Sequence, residues 1–156
     1  FTLVEMLVVI FVIGVISTLI FSNYRTGHKK YTLQRARQEV INHLRLAQDM
    51  SLTGLEFNNQ VLSFGLYFQL NKNYYILFAD LDGGFDYDGT SEDLIKVDLP
   101  TDVKISALSA SPLTIIFAPP EGKVYINGSS TGSANITLEI SSLTRTIQIS
   151  SEGVID

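Results

Sequence analysis

The feature that most constrains this chain is an uncharged apolar run near its amino terminus. From Met6 to Tyr24, nineteen residues carry no formal charge, and most of them are Val, Ile, Leu or Phe. A helix needs about 20 such residues to cross a bilayer, so the run predicts a membrane-spanning helix. One carboxylate, Glu5, lies just before the run, and an ionisable group at the edge of hydrocarbon calls for a partner.

The run does not fit a secretory signal peptide. Signal peptides begin with a basic region and end in a small-residue cleavage site. Here no basic residue precedes the run, and residues 18–21 offer no such site. We therefore expect the segment to be retained, and we expect from the opening Phe1 that a leader has been removed. The alternative is an ordinary single-pass anchor with Glu5 at the level of the headgroups.

The first five residues, Phe1-Thr2-Leu3-Val4-Glu5, followed directly by an apolar helix, resemble a known processed amino terminus. It is that of type IV pilins and type II secretion pseudopilins. The resemblance implies that a prepilin peptidase cuts before Phe1 and that the Phe1 amine is then methylated. It also implies that Glu5 pairs with the Phe1 amine of a neighbouring subunit as a filament grows. Ser22 stands where many members of the family have proline.

The resemblance further implies partners and a location. The subunit would reside in the cytoplasmic (inner) membrane and engage the prepilin peptidase/methyltransferase and the pilus assembly machinery. It would then enter a homo-oligomeric helical filament at the cell surface. Two alternatives stay open: a minor pseudopilin of a type II secretion system, and a membrane-anchored adhesin or DNA-uptake binding module.

The rest of the chain predicts an α+β fold. Apolar residues recur at spacings of three and four between Leu33 and Met50, which places them on one face of a helix that Gly54 can end. Eight short segments rich in β-branched and aromatic residues then predict antiparallel strands. They are residues 61–70, 74–79, 94–99, 103–108, 113–117, 124–127, 136–140 and 145–150.

Three parts are therefore predicted: an apolar helix over residues 1–24, an amphipathic half of the same helix over 25–54, and a β-rich head over 55–156. A long helix packed on an antiparallel sheet is the pilin fold that the resemblance implies. The net charge of −5 is uneven, with +3 in residues 1–54 and −8 in the head. DNA binding depends on Lys and Arg that neutralise phosphates, so we expect no nucleic-acid partner for the acidic head.

A looser resemblance links most of the remaining chain to H-type minor pseudopilins. It rests on the helix residues Arg37, Val40, Leu44, Ala47 and Gln48, and on the turn Phe117-Ala118-Pro119-Pro120-Glu121-Gly122. That turn has one residue more than the family pattern. The chain has no cysteine, so the disulfide with which many pilins close their carboxyl-terminal region is excluded.

The most unusual polar segment is residues 80–93, which hold six carboxylates in fourteen residues. Carboxylates at alternate positions with interspersed glycines are typical of loops that wrap Ca²⁺. The candidate calcium ligands are Asp80, Asp82, Asp86 and Asp88. The EF-hand spacing is not met, because Gly84 and Ser91 stand where that loop needs ligands. The alternative is a solvated acidic loop closed by Asx turns.

The sequence offers no pattern typical of an enzyme. His28 and His43 lie fifteen residues apart on the predicted helix, without a carboxylate at metal-ligand spacing. The chain lacks a phosphate loop, a Gly-x-Ser-x-Gly motif and a cysteine nucleophile. Four aromatic residues are expected to pack in the core rather than to form a ligand platform: Tyr74, Tyr75, Phe78 and Phe85.

Overall fold

The computed structural model describes residues 2–54, 56–57 and 60–156, without the side chains of residues 19–26, 57 and 60. Helix α1 spans Leu3–Leu52. The chain divides into two compact units, Phe1–Thr32 and Leu33–Asp156. The boundary between the units therefore lies within the helix, eight residues after the predicted end of the apolar half.

In the first unit, residues 2–16 are exposed on every side of the helix. All residues from 2 to 16 are exposed, including Leu3 at 83% and Phe11 at 69% of their surface. Within the described residues, no helix combines the length and the apolar character that crossing a membrane requires.

The second unit contains the strands. They are β1 (Glu56–Phe57), β2 (Gln60–Val61), β3 (Ser63–Phe68), β4 (Tyr74–Asp80), β5 (Asp93–Asp98), β6 (Lys104–Leu108), β7 (Leu113–Ala118), β8 (Lys123–Ile126), β9 (Ser133–Ile140) and β10 (Leu143–Ser150). All eight predicted strands are present; the first, predicted over residues 61–70, is observed as β3, and Val61 belongs instead to the short strand β2, which pairs with β1.

Every strand pairing is antiparallel, which confirms the predicted α+β class. The strands form a five-stranded sheet in the order β5-β4-β3-β7-β8 and a three-stranded sheet in the order β10-β9-β6. The β1–β2 hairpin is separate from both. Strand β6 therefore belongs to the smaller sheet, where it pairs with β9 and not with a strand adjacent to it in sequence.

The predicted apolar stripe of the helix is confirmed as part of the core. Its buried members are Leu33, Ala36, Val40, Leu44 and Ala47, and Met50 packs against them. The same core contains residues from both main sheets, so helix and sheets share one hydrophobic interior.

The end of the helix is fixed to the larger sheet by Ser51. Its Oγ donates to the carbonyl oxygen of Phe117 at 2.6 Å and accepts the N–H of Phe64 at 3.2 Å. Gly54 then adopts a left-handed conformation, with φ of +64°, as the sequence predicts for a helix stop.

Candidate functional site

The acidic loop, residues 81–92, connects β4 to β5 and begins next to a buried carboxylate. Asp80 is the last residue of β4 and is only 2% exposed. Its Oδ1 accepts the N–H of Gly83 at 2.7 Å, and its Oδ2 accepts the N–H of Phe85 at 3.1 Å. Both oxygens of Asp80 therefore hold the first half of the loop.

Glu92 holds the loop from the other end and is 5% exposed. Its Oε1 accepts the N–H of Leu81 at 3.2 Å, and its Oε2 accepts the N–H of Asp88 at 2.9 Å. The spacing of carboxylates in the sequence does not indicate Glu92, because this residue lies outside the alternating run of aspartates. Its proximity to Asp80 depends on the two strands that bring the ends of the loop together.

Three carboxylates offer oxygens within 4.8 Å of one another: those of Asp80, Asp82 and Glu92. Two of the four predicted calcium ligands are therefore adjacent, and the other two, Asp86 and Asp88, are not in this group. They are nevertheless close to it. A Cβ at Gly84 would lie 2.8 Å from Oδ1 of Asp86 and 3.1 Å from Oδ1 of Asp82.

The carboxyl groups of the loop differ in acidity. Burial raises the pKa of Asp80, even though two backbone N–H groups favour its charged form. The N–H of Gly84 lowers the pKa of the exposed Asp82. The negative charge of Asp86, followed by that of Asp82, raises the pKa of Asp88. Repulsion between neighbouring carboxylates is thus the main cause of the shift at Asp88, whereas burial dominates at Asp80 and a backbone N–H dominates at Asp82.

A Ca²⁺ ion needs six to eight oxygens, and the Asp80, Asp82 and Glu92 group supplies only part of such a shell. The remaining lone pairs of Asp80 and Glu92 are chemically suited to a hard cation. However, their hydrogen bonds to backbone N–H groups already account for the conformation of the loop. Calcium ligation by Asp80, Asp82, Asp86 and Asp88 stays a prediction.

Aromatic side chains attach the same loop to the outer face of the larger sheet. Phe85 stacks on Tyr125 with centroids 4.1 Å apart, and Tyr87 stacks on Tyr67 at 4.3 Å. The Tyr87 hydroxyl donates to Oδ1 of Asp93 at 2.6 Å. The loop is therefore fixed both by its buried carboxylates and by two ring stacks.

The four aromatic residues that were expected in the core have different environments. Tyr75 and Phe78 are fully buried, which confirms the expectation for them. Tyr74 is half-buried, with Nζ of Lys96 lying 4.0 Å from its ring centroid. Phe85 lies in the loop and packs on the surface of the sheet.

At the amino terminus, Thr2 and Glu5 form a reciprocal pair. The Thr2 N–H donates to Oε2 of Glu5, and the Glu5 N–H donates to Oγ1 of Thr2, both at 3.4 Å. This is a capping box, which the Thr-x-x-Glu spacing could have indicated. Phe1 lies outside the described residues, so its pairing with Glu5 of a neighbour stays a prediction.

The two histidines of the helix have different environments. His28 is exposed, as expected for a surface helical residue. His43 is half-buried, and its Nδ1 lies 2.6 Å from the Tyr75 hydroxyl, which links α1 to β4. Burial raises the pKa of Tyr75, so this phenol stays neutral at physiological pH.

Comparison with known proteins does not add to this description. No family model, curated protein or solved structure matches the chain.

Proposed function

We propose that this chain is a structural subunit of a type IV pilus-like filament, assembled from the membrane through its amino-terminal helix. The observation that carries the proposal is the apolar surface of the first unit, which is exposed on all sides from residue 3 to residue 16. Soluble monomers rarely expose a continuous apolar surface of this extent. Lipid tails or other apolar helices are the surroundings in which such a segment is stable.

Both surroundings fit one assembly process. Lipid tails are about as apolar as Leu side chains, so moving the helix from a membrane into a bundle of identical helices changes its solvation little. Close packing and polar contacts between the helices then determine whether the helix stays in the membrane or enters the bundle. Glu5 is the acidic group in the first turn of this helix that can make such a contact.

In this proposal, Glu5 determines how neighbouring helices are staggered along the filament. Its capping contact with Thr2 satisfies the carboxylate only in part, because the carboxylate accepts one hydrogen bond there, from the Thr2 N–H, and that bond is long and exposed. A carboxylate that leaves water for a helix bundle requires a positive partner. The resemblance to pilins supplies one, the amine of Phe1 in the neighbouring subunit.

The test compares two substitutions in the same turn. Glu5→Val removes the carboxylate and makes the helix more apolar, so we expect membrane insertion but few or no filaments by electron microscopy of cells. Thr2→Ala is the matched control: it removes the capping hydroxyl, at a cost of about 1 kcal/mol, and leaves Glu5 available for the neighbour. It should still assemble.

Two results would contradict this role of Glu5. One is normal filaments with Glu5→Val. The other is an equal defect in both variants, which would assign Glu5 to capping alone. Mass spectrometry of assembled protein should also show an amino terminus at Phe1 with one methyl group, and a longer terminus would contradict the processing step.

The same cells separate the alternatives. A minor pseudopilin of a type II secretion system would leave surface filaments intact when deleted and would abolish secretion instead. A membrane-anchored adhesin or DNA-uptake module would leave both intact and reduce binding to surfaces or to DNA.

A further inference from the structure

A cleft of about 430 Å³ lies on the outer face of the larger sheet, beside the acidic loop. Six of the residues that line it are aromatic or polar: Tyr67, Asp86, Tyr87, Ser111, Thr114 and Asn127. Clefts of this volume, in which a few polar groups converge beside aromatic walls, are typical of sites for small ligands. All of these residues belong to the second unit of the chain.

The floor of the cleft is formed by two paired strands. Tyr67 on β3 is opposite Thr114 on β7, so their side chains share the outer face of the sheet. Thr114 is only 6% exposed. In the part of the chain that the structure describes, no hydrogen bond engages its hydroxyl, and no side-chain N or O atom is both buried and unpartnered. The Thr114 hydroxyl therefore opens into the cleft as a free polar group.

Asn127 fixes one wall of the cleft. Its Oδ1 accepts the Thr114 N–H at 2.7 Å, and its Nδ2 donates to the Pro112 carbonyl at 3.2 Å. Its own N–H donates to the Thr114 carbonyl at 2.9 Å. Ser111 lies on the same wall and is exposed. Because these bonds hold both turns against β7, the wall is already formed before a ligand arrives, which lowers the cost of binding.

The acidic loop forms another wall. Tyr87 stacks on Tyr67, and its hydroxyl donates to Oδ1 of Asp93, so the ring is held in place from two sides. Asp86 precedes it and is the charged residue among those that line the cleft. A ligand in the cleft therefore meets an aromatic surface next to a carboxylate.

The charge of Asp86 is not balanced by a cation. No described Lys, Arg or His forms an ion pair with it. Its closest charged neighbours are also acidic, since the negative charge of Asp86, followed by that of Asp82, raises the pKa of Asp88. The acidic loop therefore presents a negative potential at the cleft.

The lysines of the outer face lie away from the floor and from the Asn127 wall. Nζ of Lys72 and Nζ of Lys96 are both near the Tyr74 ring, 5.9 and 4.0 Å from its centroid. Lys96 is on β5, three strands from β7, or about 14 Å at the usual spacing between strands. Lys123 begins β8, four residues before Asn127, or about 13 Å along the strand. The three aspartates of the loop outweigh these charges at the cleft.

We propose that this cleft binds a small hydroxylated ammonium compound of the amino-sugar class. Each part of such a ligand has a counterpart in the lining: its ammonium group pairs with Asp86, and its hydroxyls bond to Ser111 and Thr114. The C–H surface of its ring packs on the wall formed by Tyr87. The site does not depend on the filament function.

The test uses the full chain in micelles of a polyoxyethylene detergent, which carries neither a sugar nor an amine. Glucosamine is titrated at mildly acidic pH, where its amine is protonated. Binding is followed by NMR at the Thr114 backbone amide and the Asn127 side-chain amide, which should shift and saturate with one common Kd. Glucose has the same ring without the ammonium group, and it should bind about tenfold more weakly, because hydrogen bonds to charged groups are the stronger ones.

Substitutions separate the charge from the hydroxyl. Asp86→Asn removes the charge and keeps the shape, so it should weaken glucosamine binding about tenfold and leave glucose binding nearly unchanged. Asp102→Asn, at an exposed acid outside the acidic loop, is the matched control and should leave both unchanged. Thr114→Val keeps a branched side chain that suits a strand but removes the hydroxyl, and it should weaken the binding of both sugars.

Three results would overturn the proposal. The first is the absence of saturable shifts at Thr114 and Asn127 with glucosamine, which would mean that the cleft accepts no such ligand. The second is an equal Kd for glucosamine and glucose, which would refute the selection of an ammonium group. The third is unchanged glucosamine binding by Asp86→Asn, which would place the ligand elsewhere on the acidic surface.

Discussion

Asp80 and Glu92 show how single carboxylates can organise a loop. Their four oxygens each accept one backbone N–H from within the loop. Hydrogen bonds to charged groups are among the stronger ones in proteins, at about 1.5–3 kcal/mol each. The two side chains thus replace the regular backbone pairing that a tight hairpin turn would provide.

The opposite acidities within the loop can be measured directly. Carbon-13 NMR of the carboxyl groups between pH 2 and 7 should show Asp80 and Asp88 titrating above the ordinary range and Asp82 below it. A raised pKa in the folded state means that Asp80 adds stability below its unfolded pKa and that this is lost as the pH rises through its folded pKa. The pKa of Asp82 is lowered, so Asp82 adds stability above its unfolded pKa, and this contribution is lost as the pH falls through its folded pKa. A measured pKa of Asp82 above that of Asp80 would contradict this order.

Some of these residue roles were readable in the sequence and others were not. The Thr2–Glu5 capping box is local and has a recognisable spacing. Glu92 could not be assigned from spacing, because its contact with Asp80 exists only after β4 and β5 have paired. Alternation in the sequence indicates the aspartates as candidate ligands, but it cannot show which carboxylates are buried.

At the scale of elements, the acidic loop and the larger sheet are joined by aromatic contacts. Phe85 and Tyr125 stack with nearly parallel rings, at an angle of 8°. Aromatic pairs of this kind contribute about 0.5–1.5 kcal/mol beyond the area that they bury. This contact therefore stabilises a loop that carries closely spaced negative charges.

A double-mutant cycle tests that contact. Phe85→Ala and Tyr125→Ala should each lower the free energy of unfolding, and their effects should be less than additive by about 0.5–1.5 kcal/mol. The control is Tyr87→Phe, which keeps the stack on Tyr67 and removes only the hydroxyl bond to Asp93. Fully additive effects of the first two substitutions would show that the rings do not stabilise each other.

The positions of the strands followed from the sequence, but their arrangement did not. Each strand is rich in β-branched or aromatic residues and is bounded by turn residues, and both signals are local. The division into two sheets depends on β6 pairing with β9 rather than with its neighbours in sequence. No local pattern encodes that choice, so the order of the strands within the sheets could not be predicted either.

At the scale of the whole molecule, calcium should act as a stabilising ligand if the acidic loop binds it. A ligand specific for the folded state adds about 2.7 kcal/mol at a hundredfold excess over Kd. For a domain of about 100 residues, this raises the Tm by roughly 10 °C or more. The full chain in detergent should therefore melt higher in millimolar Ca²⁺ than in EDTA, and Mg²⁺ should have less effect because it prefers a tighter octahedral site.

Substitutions identify where the ion binds. Asp82→Asn should remove most of the calcium-dependent shift, since Asp82 is the exposed member of the group that also contains Asp80 and Glu92. Asp102→Asn, at an exposed acid outside the loop, should keep the full shift. No calcium-specific shift, or an equal shift in both variants, would favour the solvated acidic loop.

The turn between β3 and β4 belongs to one sheet and bonds to the other. Asn71 and Lys72 extend from the larger sheet and hold the edge strand β6 of the smaller one. Neither sheet can separate from the other without exposing unpaired backbone groups on both. Heat or denaturant should therefore melt the two sheets together as one cooperative unit, with no populated state in which only one of them is folded.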